Sequence, residues 1–121
     1  MTSKRSASLI QRVREIALAL PNASEKLSHG EPAFFVKKKL FAMIDDNHHD
    51  SGHVAVWCNA WPGAQESLIE GDAEHFFRPP YVGVKGWIGI RIDRELPWSV
   101  IADLLTQAHA ASSTTKKRAA L

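Results

Sequence analysis

The chain has 121 residues, is 45% hydrophobic and 23% charged, and carries 15 Lys and Arg, 13 Asp and Glu, and one cysteine. Such proportions suit one globular domain with a real core, and they exclude an intramolecular disulfide; no run of about 18 apolar residues, the length a membrane-spanning helix needs, occurs. The formal charge of +2 comes from the termini: without Lys4, Arg5, Lys116, Lys117 and Arg118, ten basic residues face thirteen acidic ones and the body carries −3. Any contact with a polyanion must therefore rest on a local patch.

The charged start, MTSKRSASLIQRVREI, has no apolar stretch of the kind a secretory signal needs. With a lone cysteine beside it, the expected compartment is the cytoplasm. Ser8 to Leu20 then reads as an amphipathic helix, with Leu9, Val13, Ile16, Ala17 and Leu20 on one stripe and Pro21 ending it. SEKLSHGE reads as a polar connection. Pro32 to Asp45 reads as a β-hairpin, PAFFV and LFAMID joined by Lys37, Lys38 and Lys39, because both arms are short and rich in aromatic and branched residues. The turn lacks Asn-Gly, so its type stays open.

After the polar loop DNHHDSG, His53 to Asn59 predicts a third strand with Val54, Val56 and Cys58 on one face. Trp61-Pro62-Gly63 breaks it, Ala64 to Glu70 predicts a short helix, and Gly71 ends that helix. Ala73 to Phe77 is ambiguous. From Trp87 the residues alternate, putting Ile88, Ile90 and Ile92 on a buried face and leaving Arg91 and Asp93 to water. Pro97 to Ala110 predicts the last helix, on the stripe Trp98, Ile101, Leu104, Leu105 and Ala108. Ser112 to Leu121 has nothing to bury and predicts a flexible basic tail, so the domain is expected to span residues 1–110 and the tail 111–121.

The order α-β-β-β-α-β-(β)-α implies an α+β fold, an antiparallel sheet with helices packed on one face. The other face is then expected to be open.

Three segments, PAFFVKKKLFA (Pro32 to Ala42), VWC followed by PGAQESL (Val56 to Leu68) and FFRPPYVGVKGWIGIRID (Phe76 to Asp93), occur in an order that resembles the MmcQ/YjbR family of small bacterial proteins. The resemblance covers Val13 to Ala110. It implies a fold similar to frataxin-like and secretion-chaperone-like proteins, and it implies DNA as the partner, touched by two projecting wings. By position, one wing is the turn Lys37, Lys38 and Lys39, and the other is the loop Arg78 to Lys85. Family members often end in a short Ala-Pro-Lys-like segment, from which AASSTTKKRAAL departs.

The residues support a phosphate contact on their own terms. Three adjacent lysines at a hairpin tip concentrate charge that an approaching anion would relieve, and Arg78 and Lys85 would extend the set; the alternative is an ordinary solvated turn. No helix-turn-helix, zinc finger or RNA-binding aromatic motif is visible, so contacts are expected to follow the backbone and not to read bases. Lys116, Lys117 and Arg118 would serve as a weak flexible arm or simply as a solvated terminus. A second reading uses aromatic residues near glycine and proline turns. Trp61, Tyr81, Trp87 and Arg91 could line a groove for a small ligand or a protein partner, a second copy of the chain included, and Trp61 is expected to be the most exposed.

His48, His49 and His53 lie with Asp45, Asp46 and Asp50 in one loop, but their spacing matches no ligand pattern, so no metal and no cofactor are expected. Cys58 alternates with valines and reads as a buried small hydrophobe. Neither a nucleophile beside a base nor a glycine loop leading into a helix is visible; the glycines at Gly83, Gly86 and Gly89 precede a strand. A non-catalytic binding protein is the expectation.

Overall fold

The structure is a computed structural model and describes residues 4–47 and 52–113. Its elements are α1 (Lys4–Leu18), β1 (Ala23–Ser28), β2 (Glu31–Val36), β3 (Lys39–Asp46), β4 (Val54–Cys58), α2 (Ala64–Gly71), β5 (Phe76–Phe77), β6 (Ile88–Arg91) and α3 (Trp98–Ser113), with a short 3-10 turn at Val82–Lys85. The six strands form one antiparallel sheet in the order β1-β2-β3-β4-β6-β5. The fold is α+β, as the spacing implied. No described helix is long and apolar enough to cross a membrane.

Strand alternation decides which side chains meet the helices. Phe34 and Val36 on β2, Ala42 and Ile44 on β3, Val54, Val56 and Cys58 on β4, and Ile88 and Ile90 on β6 point to one face, where Val13 and Ala17 of α1 and Ile101, Leu105 and Ala108 of α3 close over them. A β-bulge between Phe34 and Phe35 lets Phe41 join Ala42 on this side. Burial of Cys58 in this layer pushes its thiol up to about 12, because a thiolate there would lose its hydration.

Four sequence expectations need correction. SEKLSHGE is not a connection: Ala23–Ser28 pairs along its whole length with β2 and forms one edge of the sheet. Its polar residues are the kind that blunt an edge strand against pairing with other chains, and they hide the strand from a hydrophobicity reading. The face opposite the helices is not open, since Trp87 and Val82 fold back over Ala55, Trp57 and Met43 as a second, smaller core. Arg91 and Asp93 are not left to water; both are largely covered and pair with each other at 2.9 Å. Gly71 belongs to α2, and Asp72 is its C-cap. The helices also start and stop elsewhere than the stripes suggested: α1 begins at Lys4, and α3 runs to Ser113, where Ser112 is buried and accepts a 2.8 Å hydrogen bond from the Asn59 amide.

Candidate nucleic-acid interface

The register fixes what sits at each end of the sheet. The β2–β3 turn, the end of β4 and the start of β6 lie at one end, because Val36 pairs with Lys39, Ala42 with Cys58 and Cys58 with Ile88. Lys37, Lys38 and Lys39 therefore share an end with the loop that carries Arg78 and Lys85 into β6. One strand, β4, separates β3 from β6, so those two strands lie about 10 Å apart across the sheet.

The lysine turn is built under strain. Lys37 and Lys38 both have positive φ, 48° and 71°, as a two-residue hairpin turn of the primed type demands. Asn-Gly suits that turn, whereas an L-residue with a long side chain costs about 1–2 kcal/mol in the left-handed region. All three lysines are exposed. Among the described residues, Lys37, Lys38, Arg78 and Lys85 have no carboxylate within ion-pair distance.

The second loop is held by a residue that the sequence reading overlooked. Gln65, buried in the first turn of α2, donates from Nε2 to the carbonyls of Gly83 at 2.8 Å and Trp87 at 2.6 Å. Both ends of the 3-10 turn are thereby tied to α2. Gly83 makes room for Arg78 as it now lies, because a Cβ there would stand 2.7 Å from the arginine Cγ and push the side chain aside. The Arg78 stem thus lies across its own loop.

At the opposite end the charges are closed into pairs. Arg91 Nε meets Asp93 at 2.9 Å, Arg94 lies 3.9 Å from Glu74, and His75 Nδ1 lies 2.8 Å from Asp72. Burial pushes the Asp93 carboxyl up, but hydrogen bonds from Arg91 and from the Val54 amide outweigh it and hold the group below the usual carboxylate range. A hydrogen bond to the Arg94 carbonyl, followed by the Asp72 carboxylate, raises the His75 imidazole. Asp45 is only 1% exposed and faces His53 Nε2 at 3.0 Å, with the His53 ring 4.7 Å from that of Phe77. His53 is thus partly buried and not at a hydrated loop tip. His48 and His49 lie outside the described residues, as do Lys116, Lys117 and Arg118. No group of three or more metal-ligating side chains converges among the described residues.

The aromatic residues divide differently from the expectation. Trp61 is half-buried and Trp87 is buried beneath its loop, so neither is the exposed member. That position belongs to Tyr81, 73% exposed. Tyr81 overlooks a cavity of about 570 Å³ on the helix-free face, lined also by Met43, Ile44, Trp57, Val82, Ser28, His29 and Glu31. Arg91 is held by Asp93 on the same face and does not line this cavity. Met43 could have been foreseen from strand alternation; Ser28 and Glu31 could not, since they depend on the unrecognised β1–β2 pairing.

Comparison with known proteins agrees with this architecture. Comparison with curated proteins gives no match. Among solved structures, the crystal structure of Deinococcus radiodurans protein DR2400, with the domain DUF419, is similar at a TM-score of 0.73 and 16% identity, over 91% of this chain and 83% of that one. That likeness establishes the fold. The family model for YjbR matches residues 18–111, and the chain belongs to the YjbR family.

Proposed function

We propose that the protein is a non-catalytic DNA-binding protein that contacts the phosphate backbone through Lys37, Lys38, Lys39, Arg78 and Lys85. One observation carries the reading: two basic loops some forty residues apart in sequence are delivered to the same end of the sheet, with no carboxylate paired to Lys37, Lys38, Arg78 or Lys85 among the described residues. Like charges gathered on a body that is otherwise acidic repel one another, and a row of phosphates relieves that repulsion while releasing counterions. Such contacts supply affinity and orientation without sequence readout.

Titration of a labelled duplex between 50 and 200 mM salt tests the reading. Five phosphate contacts predict a slope of log affinity against log salt of about −4.5, and changing Lys37, Lys38 and Lys39 together to Ser should flatten it by about 2.7. A slope that the triple variant leaves unchanged removes the hairpin from the interface. A second reading, a module for a small apolar ligand, is favoured by the cavity beside Tyr81 and takes precedence if no DNA, single- or double-stranded, binds at the lowest salt.

A further inference from the structure

The loop that supplies Arg78 and Lys85 also supplies Tyr81 and Val82 to the cavity on the helix-free face. We infer that this cavity receives an unpaired base, so that the protein prefers single-stranded to double-stranded DNA. The inference rests on the phosphate-binding reading above and adds where the strand lies and what it must look like.

Three observations converge on a nucleotide. The first is how Tyr81 is presented. Its φ of 65° and ψ of −65°, with the Val82 amide donating to the Pro80 carbonyl at 2.7 Å, make a tight three-residue γ-turn of the strained, positive-φ kind. Strain of this sort persists where the surrounding structure imposes it, often at a binding site. Here it holds a largely exposed phenol ring at the rim of a cavity that Trp57 and Met43 also line.

Size is the second. About 570 Å³ admits one or two bases against an aromatic ring, but a duplex, whose major groove alone is about 12 Å wide, cannot enter it.

The third is polarity. Beyond the cavity, at the end of the sheet, stand Lys37, Lys38 and Lys85; within it lie Met43, Trp57 and Tyr81; at its far edge are the Ser28 hydroxyl, His29 and the Glu31 carboxylate, which already accepts from the Asp46 amide at 2.7 Å. Phosphate suits the first region and is repelled by the last. A base does the reverse: its faces stack on aromatic rings, and the exocyclic amines of adenine, cytosine and guanine donate to hydroxyl or carboxylate oxygens. From Lys39 to Met43 is four residue steps of β3 with a bulge among them, at most about 13 Å, a distance that a short stretch of single strand covers.

Fluorescence anisotropy decides the matter with a dye-labelled 12-nucleotide DNA of mixed sequence, used alone and annealed to its complement, against the full chain at 50 mM salt. The single strand should bind about tenfold tighter or more. Tyr81→Gly, which also relieves the positive φ and so cannot fail through backbone strain, should weaken the single strand by about 5- to 100-fold, as loss of one stacked base predicts, and the duplex by less than about twofold. Tyr81→Phe should retain single-strand binding within about twofold. Equal or tighter duplex binding overturns the inference and leaves the phosphate reading standing, as does a Tyr81→Gly effect that is absent or the same on both probes. If neither probe binds, the phosphate reading fails and this one falls with it.

Discussion

At one end of the sheet Arg91 and Asp93 are locked together, Arg94 faces Glu74, His75 meets Asp72, and Asp45 is buried against His53; at the other end Lys37 and Lys38 stand exposed on a strained turn with no such partner among the described residues. The acidic end uses its charges on itself, in pairs whose hydrogen bonds offset desolvation. At the basic end charge is left over, held where backbone geometry alone would prefer other residues. The contrast teaches that a small net charge conceals a polarised molecule, paired at one end and unpaired at the other.

If the two ends are separate in this way, substitutions of the charged groups at each should have opposite signatures, whereas a residue that braces the basic loop should affect stability and binding together. The largest effect is expected from Gln65→Ala, which strands the carbonyls of Gly83 and Trp87. It should cost about 2–4 kcal/mol by chemical denaturation and should weaken DNA binding as well, because Arg78 and Lys85 lose their support. Normal affinity in a folded Gln65→Ala protein would show that the loop is not part of the interface. Asp45→Ala should cost about 2 kcal/mol, the worth of a buried charge-assisted hydrogen bond, while leaving the salt slope of DNA binding untouched. A changed slope would erase the distinction between the ends.

Lys37→Asn combined with Lys38→Gly is the converse. Replacing two L-residues by those the turn prefers should raise stability by about 1–2 kcal/mol in a thermal or urea melt. The same protein should bind DNA with a slope flatter by about 1.8. Loss of stability in this variant would contradict the turn geometry, and an unchanged slope would contradict the interface.

The smallest effect concerns pH. The raised His75 imidazole contributes stability that is complete below its unfolded value near 6.5 and is lost as pH rises through the higher folded value. Urea melts at pH 6 and pH 8.5 should therefore show a modest decline in the wild type that is absent in His75→Gln. An equal decline in both would mean that other groups set the pH dependence.

Much of the fold was legible because its signals are local. Ile88, Ile90 and Ile92 declare a buried face by alternation alone, and Trp61-Pro62-Gly63 stops a strand wherever it occurs. Ala23–Ser28 was illegible for a related reason: an edge strand has a neighbour on one side only and stays polar to discourage another, so the alternation that marks β6 is missing. Of the candidate interface, the lysines were visible as a cluster but their strain was not, since positive φ at Lys37 and Lys38 follows from the two-residue turn that the β2–β3 register imposes. Tyr81 was visible as an aromatic near prolines. Its prominence over Trp61 came from the γ-turn, and nothing in sequence distinguishes the two rings.

What the amino-acid order determined by itself was the character of each element: which residues of a strand share a face, where helices can run, and where the chain must turn. These depend on neighbours within a few positions and on the stereochemistry of proline, glycine and branched side chains. Tertiary structure alone decided which loops become neighbours. The loops of Lys37 and Lys85 come to the same end of the sheet because β3 pairs with β4 and β4 with β6, and Gln65 reaches Gly83 and Trp87 because α2 is set down beside that end. Such juxtapositions arise from pairing between residues far apart in the chain, where one hydrophobic pattern is compatible with several strand orders and only the shared burial of the whole core selects among them.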